Sequence, residues 1–72
     1  MVIRVNSQLA TPMLFRVMQM EDVTLEVSSD IEGFSIEREG QEDVTGSDRR
    51  EFHTAIRDLM MEHRQAMREA RE

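Results

Sequence analysis

The residues that could carry out chemistry in this chain are two histidines and fifteen carboxylates, because cysteine is absent. His53 and His63 lie ten residues apart in a segment that predicts a helix, and they fall on different faces of that helix. They cannot bind one metal ion together within a monomer, and neither H-E-x-x-H nor a Cys/His metal spacing occurs. The sequence therefore predicts no metal site and no cofactor.

Pairs of carboxylates act as general acid and base in glycosidases, but such a site also needs a substrate cleft. A chain of 72 residues is too short to build a convincing cleft. The calcium-loop and phosphate-loop patterns are absent, and Gly33, Gly40 and Gly46 are better explained as turn residues. We therefore expect a protein that is not an enzyme and has no small-molecule substrate.

A stripe of basic residues along the predicted C-terminal helix is a candidate surface for binding another protein. Few of its charges have the Glu-then-Arg spacing of four residues that would pair them within one helix. A solvated helix face explains the pattern most simply, but unpaired charges also suit a protein partner. The partner-binding residues predicted on this helix are Arg57, Met61, Arg64, Arg68 and Arg71.

The apolar stripe of the same helix allows a second possibility, which is binding to another copy of the chain. Its residues follow alternating spacings of four and three, as in a coiled-coil seam: Phe52, Ile56, Leu59, His63, Ala66 and Ala70. The histidine and the two alanines make this seam weak. The residues predicted for self-association are Leu59, Met60, His63 and Met67. His63 could bias association by titrating near neutral pH, or could simply end the core.

The middle of the chain is strongly acidic. Residues 21–51 contain eleven carboxylates and three arginines, and the whole chain has a net charge of −6. The outward residues Glu26, Glu37 and Glu39 could form a negative sheet face that attracts an Arg-rich partner, or could serve only solubility. Because nucleic acids and anionic membranes bind clustered positive charge, we expect no direct binding to either.

Four segments have the composition or alternation of strands, and the first of them predicts a sheet edge: residues 2–5, 13–20, 23–28 and 34–38. Short joining loops favour an antiparallel arrangement. From Asp48 the apolar spacing changes to that of a helix, and Glu51 lies three residues later, as in a capping box. No Gly or Pro interrupts the pattern up to Arg71.

These elements predict an α+β fold in a single domain that covers residues 1–72. It consists of a small antiparallel three- or four-stranded β-meander at 2–39, an acidic loop at 40–47, and a long amphipathic helix at 48–71 packed on the sheet. Such a helix extends roughly 36 Å, against about 20 Å for a six-residue strand. Its last turns, from about Met60, should project beyond the sheet.

The preferred interpretation is a small stand-alone protein-binding module, a regulator or inhibitor of a larger bacterial or phage protein. It would bind through the C-terminal helix and a sheet face or edge. The alternatives are a homo-oligomeric structural subunit and an acidic mimic of nucleic acid. No apolar run has the length of a membrane span, and residues 4–8 interrupt any signal sequence. We expect a cytoplasmic location, in the host cytoplasm if the protein is encoded by a phage.

Overall fold

The computed structural model describes residues 1–9 and 11–71. Its elements, in chain order, are β1 (Val2–Ser7), α1 (Pro12–Met18), β2 (Thr24–Ser28), β3 (Phe34–Arg38), β4 (Val44–Gly46) and α2 (Arg49–Arg71). The strands form one sheet in the order β2-β1-β3-β4, in which β1 and β2 are parallel and the other neighbours antiparallel. The predicted α+β class with a long C-terminal helix is confirmed, but the sheet is mixed and not a purely antiparallel meander.

The prediction of a strand at 13–20 is wrong, because α1 occupies this part of the chain. Thr11 is extended, with φ −147° and ψ 142°, and its side-chain oxygen accepts a hydrogen bond from the backbone N–H of Met13. Pro12 then begins the helix, where its missing N–H costs nothing. Met13 and Val17 are buried, whereas Phe15, which a strand would place beside them, is 69% exposed. The helical spacing therefore decides which apolar residues reach the core.

The α1 crossover also explains why β1 lies inside the sheet. Parallel neighbours need a connection that returns the chain to its starting end, and α1 supplies it between β1 and β2. β1 pairs with β3 on its other side, so the predicted edge position of residues 2–5 is wrong. The strands predicted at 23–28 and 34–38 are found, and the predicted loop at 40–47 contains the short edge strand β4.

Both helices contact each other, and α1 also contacts β2 while α2 contacts β4. The core between the helices and the sheet consists of eleven buried apolar residues: Ile3, Val5, Met13, Val17, Val23, Phe34, Ile36, Phe52, Ile56, Leu59 and Met60. The ring centroids of Phe34 and Phe52 lie 5.0 Å apart. Each large apolar side chain buried in this way contributes about 1.5–3 kcal/mol.

The last residue of α2 that is buried in this core is Met60. Met61 is 57% exposed, and His63 and Met67 are only partly buried. The final turns of α2 therefore extend past the part of the helix that the core covers, as its length predicts. The molecule is correspondingly elongated, with extents of 41 × 22 × 18 Å.

Candidate functional site

The outer edge of β2 carries backbone groups that have no partner strand. β2 pairs with β1 on one side, and in the described part of the chain no strand pairs with its other side. The backbone N–H of Thr24 donates to the carbonyl oxygen of Met1 at 2.8 Å. Backbone direction alternates along a strand, so the N–H and C=O groups of Leu25 and Val27 point away from β1. β2 can therefore accept an added strand.

Exposed apolar side chains occur on β2 and on α1, the helix that contacts β2. Leu25 and Val27 pair in register with Ile3 and Val5, so their side chains are on the sheet face that carries the helices. Ile3 and Val5 are buried, Leu25 is partly buried, and Val27 remains 56% exposed at the margin of the sheet. On the neighbouring α1, Phe15 and Met18 are 69% and 55% exposed. We call the outward backbone of β2 with the side chains of Val27, Phe15 and Met18 the β2 edge surface.

The features that usually protect a sheet edge are missing from β2. Natural edge strands are often short, or carry lysine, proline or an uncompensated charge. The sequence of β2 is Thr-Leu-Glu-Val-Ser, and the carboxylate of its Glu26 accepts a hydrogen bond from Nε of Arg4 at 2.9 Å. The opposite edge, β4, is only three residues long. β2 is therefore the longer and less protected of the two edges.

The segments on either side of β2 are acidic. Glu21 and Asp22 precede the strand, and Asp30 and Glu32 follow it. Within the described residues, none of these four carboxylates forms an ion pair with an arginine. The backbone N–H of Asp30 donates to Oδ1 of Asn6 at 2.9 Å, which fixes the start of the loop after β2. The chain segments before and after β2 are thus acidic, and the loop after β2 crosses the end of β1 towards β3.

The predicted negative sheet face is partly neutralised. Arg4 lies in register between Glu26 on β2 and Glu37 on β3, and it pairs with Glu26. Arg38 pairs with Glu62 of α2 at 3.1 Å. Glu26, Glu37 and Glu39 line one depression, which also includes Val2, Arg4, Arg38 and Asp43. The structure therefore brings the three predicted glutamates together, with two arginines among them.

Most of the predicted partner-binding residues of α2 are exposed. Nη2 of Arg57 lies 3.3 Å from the carboxylate of its neighbour Asp58. For Arg64 and Arg68, no ion pair is formed with any residue that the structure describes. These two arginines line one groove, and its other lining residues are Met20, Glu21, Asp22, His63 and Met67. The side chain of Arg71 lies outside the described residues.

Two residues predicted for self-association are not accessible in this fold. Leu59 and Met60 are 3% and 4% exposed, so a second copy cannot reach them. Their spacing, which suits a coiled coil, is used within the molecule to pack α2 on its own sheet. His63 and Met67 are partly buried and line the groove beside Met20. The apolar stripe of α2 therefore belongs to the core of the chain as far as Met60.

His53 has a structural contact. Its Nδ1 lies 2.9 Å from the hydroxyl oxygen of Thr11, the residue that caps α1. The bond joins the start of α1 to α2 and holds the two helices together. His53 is therefore accounted for by packing between helices.

Sequence analysis missed the residues of the β2 edge surface. Assigning 13–20 to a strand placed Phe15 in the core and hid the outward position of Met18. The Thr11-Pro12 pair was the signal for a helix, because it combines a capping residue with proline at the first helical position. Once 12–18 is recognised as a helix, it can act as the crossover that makes β1 and β2 parallel neighbours. One side of β2 then has no partner strand.

The residues described contain no group of three or more His, Asp and Glu side chains that could hold a metal ion. Across residues 1–9 and 11–71, no helix combines the length and the apolar character needed to cross a membrane. Comparisons with protein-family models, with curated proteins and with solved structures each gave no match.

Proposed function

We propose that this protein is a protein-binding module that takes an extended segment of a partner onto the edge of β2. The observation that carries the proposal is the outward backbone of Leu25 and Val27 on an edge strand whose Val27 side chain is exposed. In strand addition, main-chain hydrogen bonds supply affinity and alternate side chains supply specificity. A module of this kind regulates or inhibits its partner by occupying a segment that the partner needs.

The energetics indicate that backbone pairing and side-chain contacts must act together. A hydrogen bond contributes about 0.5–1.5 kcal/mol net, so the outward groups of Leu25 and Val27 contribute a few kcal/mol. A micromolar dissociation constant needs about 8 kcal/mol. Val27, Phe15 and Met18 must supply the difference by burying apolar surface, at about 25 cal/mol per Å². The binding surface therefore extends from β2 onto α1.

The test replaces Val27 with proline in the intact chain. Val27→Pro removes the outward N–H and places a ring on the edge, but it removes no hydrogen bond to β1. The matched control is the double variant Arg64→Glu with Arg68→Glu, which changes the helix surface. Each immobilised chain is exposed to an extract of the cells that make the protein. Circular dichroism checks that all three chains are folded.

We expect a protein that is retained by the unchanged chain and by the helix variant, and lost with Val27→Pro. Should Val27→Pro unfold the chain, Val27→Lys provides a second test, because it keeps the backbone and adds charge to the edge. Retention that is lost only with the helix variant would move the binding surface to Arg64 and Arg68. Equal retention by every variant, or no retained protein at all, would overturn the proposal.

A further inference from the structure

We infer that the groove between the α1–β2 turn and the final turns of α2 binds a soft monovalent metal ion, Cu(I). The ligands are the thioether sulfurs of Met20 and Met67 and one imidazole nitrogen of His63, and all three side chains line this groove. This ligand set contains thioether sulfur, so it differs from the His, Cys and carboxylate spacings that predict commoner metal sites. The site does not involve β2 and is independent of the proposed function.

Two of the ligands are neighbours on α2. His63 and Met67 are four residues apart in a helix that runs from Arg49 to Arg71. Residues at this spacing lie one above the other on the same face, with Cβ atoms about 5–6 Å apart. Both side chains are partly buried and line the groove. The helix therefore presents one imidazole and one thioether to the same part of the groove.

The third ligand comes from the turn between α1 and β2. The backbone N–H of Met20 donates to the carbonyl oxygen of Val17 at 3.1 Å, and its own carbonyl oxygen accepts from the N–H of Val23 at 3.2 Å. Val17 and Val23 are buried, and the side chain of Met20 packs against the core. The position of Met20 is therefore set by the fold, and its sulfur reaches the groove from a different element than His63 and Met67.

The imidazole of His63 has no competing partner. Nδ1 of His53 is taken by the hydroxyl of Thr11, whereas His63 forms no hydrogen bond or ion pair with any residue that the structure describes. A neutral imidazole has one nitrogen whose lone pair can bind a metal and one N–H that can donate to water. His63 is therefore available as a ligand without breaking a contact of the fold.

The chemistry of these ligands selects the ion. The chain has seven methionines and no cysteine, so thioether is its only soft sulfur ligand. Thioether sulfur favours Cu(I), whereas Mg²⁺ and Ca²⁺ need oxygen ligands. Two thioethers and an imidazole are also neutral, so they do not offset the charge of a bound ion. A monovalent ion is therefore favoured over a divalent one, because desolvation costs more for a higher charge.

The charged residues of the groove fit an ion of low charge. Glu21, Asp22, Arg64 and Arg68 line it together, which gives two carboxylates and two guanidinium groups. Their formal charges cancel at neutral pH, so the groove does not concentrate either divalent cations or anions. The selection of the ion therefore depends on the softness of Met20 and Met67.

A bound ion would connect two parts of the molecule. Met20 lies against the core, whereas His63 and Met67 belong to the turns of α2 that extend past Met60, the last core residue of that helix. Binding to the folded chain alone stabilises it by mass action. At a free ion concentration 100 times the dissociation constant, the Tm should rise by about 10–20 °C.

The probe is Ag(I), which has the charge and softness of Cu(I) and is stable in air. It is titrated into the full chain by isothermal calorimetry in nitrate buffer without chloride. We expect one ion per chain, and Met67→Leu should weaken its binding by more than about tenfold. The matched control is Met61→Leu, the same substitution on the same helix at a residue that does not line this groove. Leucine conserves the volume of methionine, so both variants should fold.

Further measurements test the other ligands and the choice of ion. Met20→Leu and His63→Gln should each weaken Ag(I) binding as Met67→Leu does, and Zn(II) should not bind. In carbon–proton spectra of the methionine methyl groups of the unchanged chain, Ag(I) should shift Met20 and Met67 and leave Met61 in place. Cu(I), measured without oxygen by competition with a coloured chelator, should show the same ranking of variants.

Several results would overturn the inferred site. These are no binding of Ag(I), equal losses in Met67→Leu and Met61→Leu, methyl shifts that leave out Met20 or Met67, and Zn(II) bound as tightly as Ag(I). A different ranking of the variants for Cu(I) would do the same. Val27→Pro changes only the β2 edge and should bind Ag(I) with unchanged affinity, so failure of the metal site and failure of the proposed function are seen separately.

Discussion

The two phenylalanines Phe52 and Phe15 provide a direct test of how the structure separates core from binding surface. Phe52 is 0% exposed and packs on Phe34, whereas Phe15 is 69% exposed on α1. Phe52→Ala should cost about 3–5 kcal/mol, the usual range for a buried phenylalanine. Phe15→Ala should change the free energy of unfolding by less than about 0.5 kcal/mol. The same substitution is thus expected to cost much more stability at Phe52 than at Phe15.

The magnitude for Phe52 is large compared with the stability of the whole chain. At about 0.05–0.15 kcal/mol per residue, a domain of 72 residues has only about 4–11 kcal/mol in total. A loss of 1 kcal/mol lowers the Tm of a domain this size by about 4–8 °C. Phe52→Ala should therefore lower the Tm by more than about 12 °C or leave the chain largely unfolded at room temperature.

The assay is thermal and urea unfolding followed by circular dichroism, with the retention of the partner protein from the cell extract measured on the same samples. Phe15→Ala should unfold like the unchanged chain but retain less of the partner protein. A loss of more than about 1 kcal/mol of stability in Phe15→Ala would show that Phe15 packs in the core, and would refute the described position of α1. Unchanged retention of the partner protein by a stable Phe15→Ala chain would remove Phe15 from the binding surface.

Two further predictions concern the backbone and the start of α1. Gly33 has φ +75°, and a Cβ there would collide with a backbone carbonyl of β4, whereas Gly40 has φ +79° with open space around it. Gly33→Ala should therefore cost clearly more than the roughly 1 kcal/mol expected of Gly40→Ala; equal costs in urea unfolding would contradict the close approach. Thr11→Ala removes both the cap at Met13 and the bond to His53 and should cost about 1–2 kcal/mol. Thr11→Ser should recover most of this loss. Equal instability of the two variants would show that the side-chain hydroxyl does not contribute to stability.

The elements that could be predicted from the sequence are those whose apolar spacing fits only one type of secondary structure. The alternation at 23–28 and the uninterrupted helical spacing after Asp48 correspond to β2 and α2. Residues 13–20 are ambiguous, because Met13 and Val17 lie on one face in a strand and also on one face in a helix. The Thr11-Pro12 pair is the local signal that favours the helix, but the strand-like composition of 13–20 outweighed it in the prediction. The interior position of β1 could not be foreseen, because it depends on the crossover that α1 makes.

The candidate site was predictable only where it depends on charge. The exposed arginines of α2 and the glutamates of the open face could be placed from periodicity, as Arg64 and Glu37 illustrate. The β2 edge surface could not, since strand order is a property of the whole sheet. Leu59 illustrates a different limit. Its spacing fits a coiled-coil seam, but its side chain is buried in the core of its own chain.

The central position of β1 has a consequence for how the chain acquires its structure. β1 contacts residues far along the chain on both of its sides, and the Arg4–Glu26 bond already spans 22 residues. Contacts of such separation require loop closure before they return any free energy, so they slow folding. Until β1 is inserted, β2 and β3 each have a further unpaired side, because they pair with β1 and not with each other. During synthesis the nascent chain therefore exposes more strand edge than the finished protein, and chaperones that bind extended apolar segments have their best opportunity before β1 is in place.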